Sequence, residues 1–422
     1  MASKRSGGTT MAHNMRTHAL GKGSVLLGMV ALVVGLWLGQ GLAPVAYAAT
    51  FTVNSTDDAV DASPGDGFCD TGRLAPPAPA SPECTLRAAI QEANALPGDD
   101  EISLPAGTYV LSAPSVCAFV SAFGGFFSEV ANLLCVRSNL SITGAGADTT
   151  IIDGNHLDRV IWVGSGVTAS ISGVTVTHGV QRGGSFIGGG AGILNHGTLT
   201  LAESVVRQNS ADVGGGGITN IGTLTLTNSV VSSNSTGGDG GGINNLHTGP
   251  FGATSVGTLT LINSTISDNN STGGFIRSGG GIITNNSSVT ITGSTISGNS
   301  TGGDGGGIAD GGGTLLTLTN STISGNTAFT GGGINNACSI AFCSTVNLNN
   351  VTIANNVANV GGGISNGANQ IINLKNTLSA GNTASSGPDC AALAPGELTS
   401  QGYNLIQNTA SCIILNRDFS II

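Results

Sequence analysis

Near its carboxyl end the chain reads NSTISGNTAFTGGGINN, Asn320 to Asn336. The phrase is a short alternating run, a turn rich in Asn, Ser and Gly, and a triple glycine that leads into Ile-Asn-Asn. Near copies recur along the chain. Aligned on the isoleucine after the glycines, they fall at Ile193, Ile218, Ile243, Ile282, Ile308, Ile334 and Ile364, at intervals of 25, 25, 39, 26, 26 and 30 residues. The two long intervals hold insertions, LHTGPFGATSVG after Asn245 and CSIAFC after Ala337, so the underlying period is about 25. A second phrase keeps step with the first: TLTLAESVV, TLTLTNSVV, TLTLINSTI, SVTITGSTI, TLTLTNSTI and TVNLNNVTI.

Each unit thus offers two or three short strands of period-two alternation between Gly, Asn, Ser and Asp clusters, with no helical pattern between them. That excludes a helix-containing solenoid. Strands so short are unstable alone, but coiling the chain lays each on its copy, about 4.8 Å away. The expected fold is all-β, a parallel β-helix. Leu199, Leu201, Leu224, Leu226, Leu259, Leu261, Ile296, Ile323 and Ile353 are its expected aliphatic core. One asparagine recurs per coil, at Asn209, Asn234, Asn269, Asn299, Asn326, Asn356 and Asn382, where stacked amides would satisfy the backbone of a tight corner. A second series, Asn195, Asn220, Asn245, Asn336 and Asn366 with Asp310 in phase, follows the triple glycines, which supply positive φ or close approach at another corner. These ladders are read as structural, because a binding site needs a local departure from the repeat.

Composition agrees. Of 422 residues 69 are glycine, while charged residues make up 9% and aromatic ones 4%. No Gly-X-Y period supports collagen, and the wealth of Thr, Ile and Val argues against disorder. The formal net charge is -10, which makes a nucleic-acid partner an unfavourable reading.

The first residues read as an export signal: Lys4, Arg5, Arg16 and Lys22 precede the apolar run Val25 to Leu38, and Ala46-Tyr47-Ala48 offers a cleavage site. The apolar run is short for a membrane span, so the mature chain is expected to begin at Ala49, exported and without a spanning segment. Eight cysteines in an exported chain imply disulfides, and the simplest pairing joins neighbours: Cys69 with Cys84, Cys117 with Cys135, Cys338 with Cys343, Cys390 with Cys412. None has the spacing of a zinc site. The expected organisation is a signal peptide over 1–48, an amino-terminal cap and first strand over 49–111, an apolar disulfide-bounded insertion over 112–136, coils over 137–385 and a carboxyl-terminal cap over 386–422.

The amino-terminal cap is read from CTLRAAIQEANALPGDDEISLPAGTYVL, Cys84 to Leu111. Leu86, Ala89, Ile90 and Ala93 have helical spacing, Thr85 is placed to cap the start, and Pro97-Gly98 stops the helix. Cys84-Thr85-Leu86-Arg87-Ala88-Ala89 closely resembles the CSLREA motif of exported bacterial β-helix proteins, with Thr for Ser and Ala for Glu. The repeats resemble those of polymorphic outer-membrane proteins, GGGI standing for GG[AG]I and Ile323-x-x-Asn326 or Ile296-x-x-Asn299 for FxxN. Together the two resemblances span Cys84 to Cys412 and imply the pectin-lyase-like right-handed β-helix. They imply less about activity, since that fold hosts lyases, hydrolases, adhesins and toxins. The ten residues after Cys412, ending DFSII, hold no translocation barrel or LPxTG signal, a departure from the outer-membrane pattern.

A lyase of that fold needs a carboxylate cluster for Ca²⁺ and a basic side chain on one groove. The candidates are Asp153, His156, Asp158 and Arg159 in IIDGNHLDRVIWV, with His178, Arg182, Glu203 and Arg207 in the next coils; the competing reading is ordinary turn chemistry. Asp239 and Asp304 share a GGDGGG context, with Arg277 near them in phase, and read as a charge ladder rather than a Ca²⁺ site. Ca²⁺-binding nonapeptides are not matched, and G-x-S-x-G, H-E-x-x-H and P-loop motifs are absent. The insertion Cys117 to Cys135 carries Phe119, Phe123, Phe126 and Phe127, either a partner-binding lobe or a stapled flap; His247 and Phe251 mark a second excursion.

The preferred reading is a secreted or cell-surface protein, structural or adhesive, that contacts extracellular polysaccharide or protein without catalysis, cofactor or metal. The alternative is a polysaccharide lyase or hydrolase, with Ca²⁺ under the lyase form. The near-absence of charge from Asp212 to Lys375 favours the former.

Overall fold

The computed structural model describes residues 48–76, 81–120, 126–131, 133–183, 189–246, 257–273, 278–337, 343–393 and 395–415, with backbone alone at 115–120 and 126–131. The export signal, Phe123, His247, Phe251, Arg277 and Cys338 lie outside the described residues, as do the side chains of Cys117, Phe119, Phe126 and Phe127.

Each coil lays down four extended segments. In one coil these are Ile282–Thr284, Ser288–Thr292, Thr295–Ser297 and Ser300–Thr301, after which a glycine corner leads to Ile308. Among the described residues the segments stack into three parallel sheets of 22, ten and five strands; the largest takes two segments of every coil. This is a parallel β-helix. Ile193, Ile218, Ile243, Ile282, Ile308, Ile334 and Ile364 pair one on the next along the ten-stranded sheet. The register of the sheet is therefore the alignment of the repeats, and it is the same on either side of the two insertions. Strand pairing also continues beyond 137 and 385, through Thr50–Thr52 and Asp100–Leu104 at one end and Glu397–Ser400 and Ile414–Leu415 at the other.

The core is a column of aliphatic side chains. All nine leucines and isoleucines expected inside are buried. Alternation places their neighbours outward, so a strand such as Thr223–Thr227 reads half-buried, buried, half-buried, buried, half-buried.

Corners set the rest. Each of the seven asparagines Asn209 to Asn382 is buried. From Asn209 to Asn356 each donates its Nδ2 to the next Oδ1 at 2.9–3.0 Å, and that Oδ1 also accepts the backbone N–H of the donor. The residue before each is in the left-handed region whatever its type: Gln208, Ser233, Asp268, Gly298, Gly325, Asn355 and Gly381. A second left-handed column runs through Glu203, Asn228, Asn263, Gly293, Asn320, Asn350 and Asn376. Behind it Ser204, Ser229, Ser264, Ser294 and Ser321 form a buried hydroxyl ladder, in which each Oγ bonds the carbonyl two residues back and, from Ser229 on, accepts the N–H of the preceding coil's serine. Neither column was anticipated, because the left-handed position varies in residue type and serine recurs at several positions of each repeat. At the third corner the coils approach so closely that a Cβ on Gly333 would sit 2.5 Å from the carbonyl oxygen of Gly363.

The asparagine series beyond the glycine corner is interrupted. Asn195 bonds Asn220 and Asn220 bonds Asn245, each at 2.7 Å, and Asn336 bonds Asn366 at 2.8 Å, but Thr284 and Asp310 occupy the column between.

Helix α1, Leu86–Ala95, forms as the cap reading required: the Thr85 hydroxyl accepts the Ala88 N–H at 3.1 Å, and Leu86, Ala89, Ile90 and Ala93 are buried in the main core. Arg87 is also buried. Its guanidinium grips Asp58 through two bonds of 2.6 and 2.9 Å and donates to the Leu133 carbonyl, while Asp58 Oδ2 accepts the N–H groups of Ser112 and Ala113. The motif arginine thus ties the helix to two separate segments. Disulfides Cys69–Cys84 and Cys390–Cys412 staple the two ends, and Cys135 is disulfide-bonded as well. The insertion forms an antiparallel pair, Ser115–Val120 with Phe126–Ala131, in which Phe119 is opposite Phe127 and Val120 opposite Phe126.

Candidate functional site in the first coils

Asp153 closes the strand Thr150–Asp153, and His178 directly follows Thr175–Thr177, which lies beside it with Asp153 opposite Thr177. One coil step therefore brings the two side chains together: His178 Nδ1 is 3.0 Å from Asp153 Oδ2. His178 occupies the left-handed corner position, and Gly179 stands where later coils have the ladder asparagine; its N–H donates to Asn209 Oδ1. Asn155 and His156 are both left-handed, and Asp153 Oδ1 accepts the Asn155 N–H at 2.8 Å. That turn lays the His156 ring 4.8 Å from the His178 ring and lets the His156 N–H donate to the His178 carbonyl. Arg182 closes the group from outside, with Nη2 on the His156 carbonyl and Nη1 on that of Leu157.

Asp153, His156, His178 and Arg182 thus converge. The other four candidates do not join them. Asp158 uses Oδ1 on the Arg159 N–H and its carbonyl on Val180, and Arg159 is buried on another side, where its charge acts on His196. Glu203 sits exposed at the second left-handed corner, where most coils have Asn or Gly. Arg207 is exposed two strands from Asp153, with Thr177 between. That Thr177 hydroxyl is buried without a hydrogen-bond partner.

Chemically, an Asp that accepts from Nδ1–H leaves Nε2 of a neutral imidazole as the outward acceptor, the orientation of a general base. Among the described residues no group of three or more His, Cys, Asp or Glu is placed to hold a metal ion. No family model, curated protein or solved structure matches this chain. Its chemistry is read from its own geometry.

Two features escaped the sequence reading. His196 lies 6.2 Å from Trp162, edge to face, beside the second apolar cluster of Leu133, Cys135, Trp162, Leu194 and Ile221. Burial, with the charge of Arg159 added, lowers its pKa to about 4. Nothing in His-Gly after a ladder asparagine signals a buried histidine. An open groove of about 860 Å³ at the amino-terminal cap is lined in part by Asp57, Arg73, Thr108 and Ser112, which come from separate segments and share no motif. Asp239 and Asp304 do occupy equivalent corner positions, with Ser278 buried in the coil between them, and burial raises the Asp239 pKa. Among the described residues no helix is long and apolar enough to cross a membrane.

Proposed function

We propose that this chain is an exported, non-catalytic β-helix of the CSLREA type that serves as an adhesive or structural protein, holding extracellular polysaccharide or protein along its wall. One observation carries the reading. The outward positions of the wall strands from Thr198–Ala202 to Thr345–Ala354 carry Thr, Ser, Asn and small or aliphatic residues, and Arg207 is the one charged side chain among them. A long uncharged face of hydroxyl and amide groups suits many weak contacts with an extended partner and supplies no acid–base pair. The disulfides at both ends and the apolar leader sequence support export.

Binding of the chain from Ala49 onward to immobilised polysaccharides and to bacterial cells tests this. Saturable binding that Tyr substitutions on the wall abolish is the expected result; a folded sample that binds none of them sinks it.

The Asp153–His178 contact beneath His156 and Arg182 favours a second reading, a polysaccharide lyase or hydrolase. Turnover of acidic polysaccharides with Ca²⁺ and then with chelator decides it. Release of unsaturated products or reducing ends, lost in His178→Ala, would establish a catalytic groove.

A further inference from the structure

The wall has a threonine section with unusual order. Thr200, Thr225, Thr260, Thr290 and Thr317 are direct register partners, one per coil. Parallel strands space them about 4.8 Å apart, and the next outward residue on each strand lies about 6.6 Å along it. Those flanking positions add Thr198, Thr223 and Thr258 on one side, followed by Ser288 and Leu315, and Thr227, Thr292 and Thr319 on the other, interrupted by Ala202 and Ile262. The result is a two-dimensional lattice in which threonine holds 11 of 15 outward positions, with the central column unbroken.

Three properties make the lattice a surface rather than filler. The inward neighbours Leu199, Leu224, Leu259, Val289 and Leu316 are buried to within 1%, so the strands beneath are fixed in position. Threonine is branched at Cβ and stiff about χ1, so hydroxyl and methyl repeat in one orientation. None of the five central hydroxyls is used within the described protein, whereas the serine and asparagine ladders consume theirs. No charge interrupts these columns before Lys375 and Glu397 at the far end.

We propose that this threonine section binds ice. Tetrahedral water with O–H···O distances of about 2.75 Å puts second-neighbour oxygens about 4.5 Å apart and repeats about every 7.3 Å along the stacking axis. The wall repeats at nearly both spacings, with hydroxyls to join the lattice and methyls to fill the gaps between them. A single sugar chain has no need of identical groups in two dimensions, and the section offers neither a concavity nor an aromatic platform for a sugar ring. A crystal face needs both dimensions. The inference rests on the wall being a contact surface and goes beyond adhesion by assigning a solid partner to its threonine part.

The test is ice affinity and thermal hysteresis of the chain from Ala49 onward, with polysaccharide binding measured on the same sample. Enrichment in a slowly growing ice front, faceted crystals and a hysteresis gap are expected. Thr260→Tyr should abolish the gap, and the isosteric Thr260→Val, which spares the fold, should reduce it. Ser235→Tyr, on the five-stranded sheet, should leave it intact. Exclusion of a folded sample from ice overturns the proposal, as does hysteresis that survives Thr225→Tyr with Thr260→Tyr, or that falls equally in Ser235→Tyr. Failure on ice with polysaccharide binding retained removes this inference alone; ice binding without any polysaccharide or cell binding removes the adhesive reading instead.

Discussion

The coils at 150–207 and those at 209–356 share one backbone path and differ in what their polar groups do. In the later coils the amides of the main asparagine ladder are satisfied by their own copies: Asn299 receives two bonds from Asn269 and gives two to Asn326 and one to the Ile266 carbonyl. In the first coils the asparagine column ends at Gly179, the corner holds a histidine, and the Thr177 hydroxyl is buried without a partner. Repetition satisfies valence along the axis and leaves little for a ligand. The titratable side chains Asp153, His156, His178 and Arg182 gather where the repeat starts and its copies are missing.

The largest expected effect comes from breaking the repeat itself. Gly333→Ala drives a Cβ against the Gly363 carbonyl of the next coil, where no side chain can move aside. A loss of roughly 3 kcal/mol is expected, at the upper end of overpacking costs, read as a fall in the urea midpoint. Asn299→Ala comes next. It strands the Asn269 N–H and amide and the Ile266 carbonyl, and leaves Asn326 Oδ1 with only the backbone N–H of residue 299, at a cost of about 2–3 kcal/mol. A midpoint unchanged by this substitution would mean that the ladder is not what holds the corner.

Acid sharpens the comparison at intermediate size. His196 stays neutral in the folded chain down to pH about 4, while the unfolded chain takes up a proton below its ordinary 6.5. Its contribution is therefore present above pH 6.5 and lost as pH falls toward 4, amounting to about 3 kcal/mol by linkage. His196→Gln should flatten that slope in denaturation curves taken from pH 7 to 4, and an unchanged slope would assign acid sensitivity elsewhere. The smallest effect belongs to the candidate site: His178→Ala removes a half-exposed contact with Asp153 and should move the midpoint by no more than about 0.5 kcal/mol. A large loss there would show that the first coils are held as tightly as the middle ones, against the contrast drawn above.

Much of this was legible in the residues. The glycine phrase gave the strand register, since Ile193 to Ile364 pair as aligned, and Thr85 with the spacing of Leu86 to Ala93 gave helix α1. Two left-handed columns were hidden because Gln208, Ser233 and Asp268 share a backbone conformation and no side-chain chemistry. Of eight candidate site residues, the sequence placed Asp158, Arg159, Glu203 and Arg207 beside the four that converge, because neighbours in sequence on a turn need not face one way.

Periodicity alone determined that this chain coils, how long each coil is, and which residues point inward, because a parallel stack must superpose equivalent positions on a spacing fixed by backbone hydrogen bonds. Only the tertiary structure decided which outward side chains meet. Asp153 and His178 are 25 residues apart and one strand spacing apart, and no local rule of sequence relates those two distances until the corner between them is built.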